Sequence, residues 1–395
     1  MFIAGEASGD SHAAALIGAL RAQVPELEIF GAGGPKMQEA GMELLLDLTE
    51  HAVVGLVEVL KNYGTFKRIF DQLVAEAEKR RPVAVVLVDF PGFNLRFAAQ
   101  MKKRGIKVIY YISPQLWAWH ASRATQIERD VALMLTIFPF EKAWYAEHAP
   151  GLRVEFVGHP FEDRTTACHP ERSEGSLAET TEICRQTTDG PLRFPLRNSG
   201  LRRDAENDNR EENLVLLLPG SREREVAKIW PILTRVVDRL PADVRFVAAA
   251  VNRETAALML AHPRVDVEIG GAHRWMQRAS LAITASGTAT MECAFFGCPM
   301  IVVYKVNWLT YLIGRALVTV DWLAMPNVIA HRAIVREFIQ GKAQPDRIAD
   351  EALALLRSPA KRVAMQRELA AVIATLGGPG ASDRAARLIL DAVSS

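Results

Sequence analysis

The sequence predicts an α/β protein of two doubly wound parallel-sheet units followed by helices. Three observations carry that expectation. Short apolar runs of strand length alternate with amphipathic segments of helix length, the pattern of a parallel sheet covered on both faces. The alternation runs twice, through residues 1–164 and again through residues 214–375. Between the two blocks, residues 165–213 are rich in Arg, Glu, Asp, Asn, Thr, Ser and Gly with no sustained period, which reads as a polar linker.

In the first block, residues 2–5 read as a strand end and residues 10–23 as the helix after it. Strands are then expected at 27–30, 84–89, 107–112, 131–137 and 154–157, with helices between them at 66–80 and 95–104. A buried strand usually has about five or six residues. Met1 falls almost at the carboxyl end of the first one, so the native chain is expected to begin upstream. The second block restarts with a strand at 214–218, a helix at 223–239 and a strand at 243–251. Segments 254–261, 265–269, 272–278 and 281–285 continue the alternation, before a helix at 288–296 and a strand at 300–303. After Pro345 the chain reads as helical, broken at Gly377-Gly378-Pro379-Gly380. Residues 376–395 are expected to form a helix that packs back on the first unit. Two such units face a cleft, with ligands expected at the carboxyl ends of the strands.

Composition narrows the function classes. Of 395 residues, 49% are hydrophobic and 24% charged, and the net charge of +1 gives no global reason to bind nucleic acid. The longest uncharged stretches, 279–291 and 293–304, are separated by Glu292 and fall short of a membrane span. Cys168, Cys184, Cys293 and Cys298 form no CxxC pair, so neither a zinc ribbon nor a thioredoxin motif is supported. Sparse cysteines and the absence of a secretory signal point to the cytoplasm.

The turns at expected strand ends carry the chemistry. In Leu217-Leu218-Pro219-Gly220-Ser221-Arg222, Gly220 permits a tight turn and Ser221 is placed to cap the next helix. Exposed amides together with the Arg222 fork form an anion site, although an ordinary βα loop with a surface Arg has the same pattern. In Ala285-Ser286-Gly287-Thr288-Ala289-Thr290-Met291-Glu292, small residues allow close backbone approach. There Glu292, one helical turn on from Thr288, suits two ribose hydroxyls. Alone, that segment reads equally as capping plus a solvated Glu. Paired with the Arg222 turn it describes a diphosphate-plus-ribose site.

In the first block, Gly5-Glu6-Ala7-Ser8-Gly9-Asp10 opens a helix but is not GxGxxG. No acid ends a second strand at the dinucleotide spacing, which argues against a nicotinamide enzyme. Glu6, Ser8 and Asp10 remain candidates for the acceptor side of the cleft. Gly31-Ala32-Gly33-Gly34-Pro35 reads as a flexible turn with Pro35 at a first helical position. Asp89 ends the apolar run 83–88 and leads into Phe90-Pro91-Gly92-Phe93-Asn94. An acid there is placed for general-base work, with capping of a helix near Asn94 as the plain alternative. Ser113-Pro114-Gln115-Leu116-Trp117-Ala118-Trp119-His120 offers Trp117 and His120 to shape a sugar or acyl site, against the common use of paired Trp as core.

These segments occur in order with Val54-Gly55-Leu56-Val57-Glu58-Val59-Leu60, Phe138-Pro139-Phe140-Glu141, Gly158-His159-Pro160 and Met325-Pro326-Asn327. As a set, covering all but the polar linker, they resemble the lipid-A-disaccharide synthase family, glycosyltransferases of the GT-B fold. The resemblance implies transfer of the sugar of UDP-2,3-diacylglucosamine to 2,3-diacylglucosamine 1-phosphate, giving a β(1→6) disaccharide and UDP. It further implies Asp89 as the essential strand-end acid, Arg222 at the uridine diphosphate, Glu292 near the nucleotide and Asn327 at the donor site. The short first strand and the long polar linker depart from the family without touching a motif.

Inversion at the anomeric carbon needs in-line attack by the acceptor hydroxyl, with Asp89 as the candidate base. Arg222 and helix N-termini stabilise the leaving diphosphate, so no metal or cofactor is expected, and no DxD motif stands out. The acyl chains require a lipid surface, which places the enzyme peripherally on the cytoplasmic face of the inner membrane of a Gram-negative-type cell. Residues 52–60 and 306–320 are the candidate interfacial segments, with Val54, Leu56, Val57, Trp308 and Tyr311 as their apolar contacts. Buried core helices are the alternative there, and a homodimer is left open. The competing functions are another GT-B enzyme on UDP-N-acetylglucosamine (a cell-wall transferase or a 2-epimerase) and a non-catalytic nucleotide-sugar-binding module.

Overall fold

The structure is a computed structural model that describes residues 1–49, 63–161, 163, 210–259, 261–307 and 320–394. Val54, Leu56, Val57, Trp308, Tyr311 and nearly all of the polar linker lie outside the described residues. Two compact units emerge. The described residues up to 163 cluster with those from 375 onward, and the described residues between 210 and 374 form the other unit.

Unit 1 runs β1 (Phe2–Ala4), α1 (Ala7–Gln23), β2 (Phe30–Gly33), α2 (Pro35–Glu39), β3 (Glu43–Asp47), α3 (Tyr63–Arg80), β4 (Ala84–Val88) and α4 (Pro91–Lys103). It continues with β5 (Lys107–Tyr111), α5 (Ala124–Asp130), β6 (Leu133–Thr136), α6 (Pro139–His148) and β7 (Val154–Phe156). The strands pair in parallel in the order β3-β2-β1-β4-β5-β6-β7. Ile3, Val85, Leu87, Val108 and Tyr110 point into one core with Phe97 and Met101 of α4.

The glycine run read as a turn is instead the strand β2, three residues beyond the expected start. A side chain at Gly31 would place its Cβ 1.9 Å from the Phe2 carbonyl oxygen, so β1 and β2 meet only because the residue is glycine. The edge strand β3 was not expected. Its apolar run is only Leu44-Leu45-Leu46, held between Glu43 and Asp47, and its residues are half-buried at best. Helix α4 begins four residues before the expected 95, with Phe90 as its N-cap, so Asp89 lies ahead of the helix rather than capping it.

The C-terminal helix Ala381–Ser394 belongs to unit 1 and packs on α1. Asp163 accepts the amides of Gly380 and Ser382, both at 2.6 Å, at its N-terminal end. The ammonium of Lys107 meets the Ala392 carbonyl at the other end, so both ends carry the charge that complements the helix dipole.

Unit 2 runs β8 (Glu211–Leu218), α7 (Glu223–Arg239), β9 (Arg245–Ala250), α8 (Arg253–Leu258), β10 (Val265–Ile269), α9 (Ala272–Arg278), β11 (Ala279–Ala285) and α10 (Thr288–Phe295). It ends with β12 (Met300–Tyr304), α11 (Met325–Ala330), β13 (Arg336–Ile339), α12 (Pro345–Leu356) and α13 (Pro359–Ala374). Its parallel order is β10-β9-β8-β11-β12-β13. Val226, Ile229, Trp230, Leu233, Val236 and Val237 form the buried stripe of α7, at the three-and-four spacing of an amphipathic helix. Residues 211–213, read as the end of the linker, are strand. Beside them the Arg210 guanidinium donates to the carbonyls of Met276, Ala279, Phe296 and Gly297. Strand β13 was also unexpected, because Arg336 and Glu337 interrupt the apolar pattern at this sheet edge.

Candidate active site

Each sheet has one switch point, where successive connections leave in opposite directions. It lies between β1 and β4 in unit 1 and between β8 and β11 in unit 2. Such points open a crevice at the carboxyl ends of the strands. The turns singled out from sequence flank both of them.

In unit 1 the Gly5-Glu6 turn after β1 and the Asp89-Phe90 turn after β4 are pressed together. A Cβ on Gly5 would come within 2.3 Å of the Phe90 ring. Asp89 and Phe90 both sit in the left-handed region, at φ 46° and 49°, and Ile112 after β5 joins them at φ 65°. For non-glycine residues this is strained, and for a β-branched one it is exceptional. Hydrogen bonds hold the strain in place at Asp89. Its amide donates to the Tyr111 carbonyl at 3.1 Å, while its own carbonyl accepts from Asn94 Nδ2 at 2.8 Å and from the Tyr110 hydroxyl at 2.6 Å. Asp89 itself is half-buried. Burial, with the Asp89 charge second, raises the Tyr110 hydroxyl far above the usual phenol range, so Tyr110 stays a donor.

The other candidates of unit 1 divide. Glu6 is the N-cap residue of α1 and Ser8 lies in its first turn, both half-buried. Asp10 is buried and its carboxylate accepts the amides of Gly34, Lys36 and Met37 at 3.0–3.2 Å, so it caps α2 and ties that helix to α1. That is a positioning role, in place of the expected acceptor contact. Trp117 is likewise buried, its indole N–H donating to Glu141 Oε1 at 3.1 Å. His120 takes a left-handed backbone at φ 62°.

In unit 2 the Pro219–Arg222 turn starts from buried Pro219, passes through half-buried Gly220 at φ 125° and ends on exposed Ser221 and Arg222. Arg222, not Ser221, is the N-cap residue of α7, and no side chain caps that helix. Helix α10 likewise starts from exposed Gly287 and Thr288 without a side-chain cap. Two helix N-termini with uncapped amides, and a guanidinium at one of them, favour an anion. Burial, and then the Glu225 carboxylate, raise the Tyr304 hydroxyl above the usual range, while Arg222 opposes them. Tyr304 therefore stands beside the Arg222 turn, a neighbour not anticipated from sequence.

Glu292 meets His273 of α9, with Oε2 3.5 Å from Nε2. His273 had no motif to mark it. The Ser286 hydroxyl donates to the Leu323 carbonyl at 3.0 Å. Asn327 is fully buried and saturated. Its oxygen accepts the amides of Ile334 and Val335 at 2.7 and 2.9 Å, and its nitrogen donates to the Val335 carbonyl and Glu337 Oε1, both at 2.8 Å. Glu337 in turn accepts the amides of Leu323 and Ala324, each at 3.0 Å. Asn327 is therefore a brace for the segment that holds Ser286, and has no hydrogen-bonding capacity left for a donor substrate.

The chain matches the family model described as "Lipid-A-disaccharide synthetase" over residues 1–185 and 195–390. It is 38% identical to the lipid-A-disaccharide synthases of Syntrophus aciditrophicus and Geobacter sulfurreducens, over 99% of this chain and 96% of each of those proteins. To that of Koribacter versatilis it is 36% identical over 98% of this chain and 96% of the relative. Among solved structures it is similar to a putative UDP-N-acetylglucosamine 2-epimerase from Listeria monocytogenes, with a TM-score of 0.59 at 15% identity, covering 100% and 95% of the two chains. The UDP-N-acetylglucosamine 2-epimerase of Neisseria meningitidis bound to UDP-GlcNAc gives 0.61 at 13% identity, covering 96% of each. At that identity the structures speak to the fold alone, which is of the GT-B class. Both switch-point turns, the strained Asp89 and the match along nearly the whole chain lead to one statement: this chain belongs to the lipid-A-disaccharide synthase family.

Proposed function

We propose that the chain is an inverting hexosyltransferase. It moves 2,3-diacylglucosamine from UDP to the 6-hydroxyl of 2,3-diacylglucosamine 1-phosphate, forming the β(1→6) disaccharide 1-phosphate and UDP. The observation that carries this reading is membership of the family along nearly the whole chain. The acceptor oxygen attacks the anomeric carbon, Asp89 takes its proton, and the bond to the diphosphate breaks on the opposite face. Arg222, with the uncapped amides beyond Ser221 and those of Gly287 and Thr288, stabilises the charge that develops on UDP. Glu292 accepts the ribose hydroxyls, and Glu6 and Ser8 border the acceptor. Asp10, Trp117, Ser286 and Asn327 act by holding backbone.

No helix among the described residues is long and apolar enough to cross a membrane. Acylated substrates are then met at a surface, and our reading is a peripheral enzyme on the cytoplasmic face of the inner membrane of a Gram-negative-type cell. Val54, Leu56, Val57, Trp308 and Tyr311 are its proposed lipid contacts. The test is direct. Purified chain in detergent, given UDP-diacylglucosamine and diacylglucosamine 1-phosphate, should release UDP and yield the disaccharide by mass spectrometry. Epimerisation of UDP-N-acetylglucosamine without disaccharide would favour the 2-epimerase, and UDP binding without turnover the binding module.

A further inference from the structure

The segment between β5 and α5 carries Trp119, the one large aromatic side chain among the described residues of unit 1 that is exposed. Residues 113–120 leave the sheet next to Asp89, whose amide donates to the carbonyl of Tyr111, the last residue of β5. The segment is clamped from beneath. Leu116, Trp117 and Ala118 are buried. Glu141 of α6, with no exposed surface, accepts the Trp117 indole through Oε1 and the amides of Ile137 and Phe138 through Oε2. One turn along the same helix, the Tyr145 hydroxyl lies 2.9 Å from Ser113 Oγ. Left-handed backbone at Ile112 and His120 brackets the segment at both ends.

Out of this fixed base Trp119 is 44% exposed, while its preceding neighbours are below a tenth. The His120 ring tilts against it at 5.0 Å between centroids. A flexible surface loop would leave an indole free to fold back onto apolar neighbours. Here the anchored Trp117 and the strained His120 hold it outward, an arrangement that strain at a functional site explains and packing does not. A hexopyranose has one face of C–H bonds, and an indole offers a broad π-face with a donor at its edge.

We infer that Trp119, rather than Trp117, is the platform on which the acceptor's sugar ring lies, with Glu141 and Tyr145 as the positioning residues that present it. The inference rests on the acceptor proposed above. The expected effect of Trp119→Ala is a roughly tenfold rise in acceptor KM and a matching loss of acceptor affinity by calorimetry, the scale of one aromatic contact. UDP affinity and kcat at saturating acceptor should stay within about twofold. Trp119→Phe should restore most of the acceptor affinity, which a folding defect would not allow. An unaltered acceptor KM and affinity would overturn the inference. So would loss of binding to anionic vesicles with short-chain acceptor KM unaltered, which would make Trp119 a lipid anchor. If the wild-type chain transfers no sugar yet binds the acceptor, the calorimetric arm alone decides Trp119. If it binds no acceptor, the inference falls with the function it rests on.

Discussion

The two switch points solve different physical problems. That of unit 1 is built from side chains in strained backbone: Asp89, Phe90, Ile112 and His120 all have positive φ, and two side-chain hydrogen bonds hold the Asp89 carbonyl. That of unit 2 is built from glycine turns and helix N-termini without side-chain caps, with Gly220 and Gly287 carrying the unusual dihedrals at little steric cost. Strain held by a network fixes one group in one orientation, as a proton acceptor requires. Open amides and an exposed guanidinium suit an anion that enters and leaves. We propose on that ground that chemistry belongs to the first sheet and leaving-group recognition to the second.

The sharpest way to break that division is Asp89→Asn. The side chain keeps its shape and loses its basicity, so turnover should fall by about 10²–10⁴-fold while UDP affinity is retained. Near-normal turnover would remove the base from unit 1. The next effect in size tests the brace in unit 2. Asn327→Ala takes the side-chain partner from two backbone amides and the Val335 carbonyl and leaves Glu337 Oε1 only the Ala324 amide, and should lower stability by roughly 2–4 kcal/mol, seen as a fall in melting temperature. UDP affinity should then recover at low temperature, where the unit is folded. A UDP defect without any melting shift would instead put Asn327 back at the ligand.

Arg222→Ala is a smaller change. It leaves the helix amides in place and should weaken UDP by roughly 1.5–3 kcal/mol, the scale of a charged hydrogen bond. Because the side chain is exposed, melting should hardly move. Calorimetry that finds UDP affinity unaltered would place the diphosphate elsewhere.

What could be read from sequence follows the same division. Central strands such as β4, β8 and β11 are apolar runs because both faces are covered, so their positions were legible. Edge strands β3 and β13 carry charges, Glu43 and Asp47 in one and Arg336 and Glu337 in the other, which cut their apolar runs to three residues or fewer. The chemical turns were legible through Gly, Pro and a lone acid at a strand end. Roles were harder. Asp10 and Asn327 are residue types that serve equally as ligand contacts or backbone caps, and only their partners decide. His273 and Glu337 act on residues distant in sequence, so no local spacing announces them, and the spacing of Glu141 announces its bonds to Ile137 and Phe138 but not the one to Trp117.

The smallest effect belongs to the clamp of unit 1. Burial raises the Glu141 carboxyl from 4.5 to about 7, against the opposing pull of its hydrogen bonds from Phe138, Trp117 and Ile137. Between those two values the unfolded chain has lost this proton and the folded chain has kept it. The folded state then binds more protons, so the contribution of Glu141 to stability falls as pH rises through that window and levels off above about 7. Glu141→Gln cannot ionise, and its melting temperature should lose this component of the slope between pH 5 and pH 7. If the clamp matters only for folding, the variant's acceptor KM will match that of the wild type at every pH. If it presents the loop beside Asp89, wild-type acceptor KM should change near pH 7, where Trp117 exchanges a protonated partner for a charged one, and the variant's should not. A melting slope identical in both proteins would mean that Glu141 is ionised throughout, and would leave the rigidity of unit 1 to its strained backbone alone.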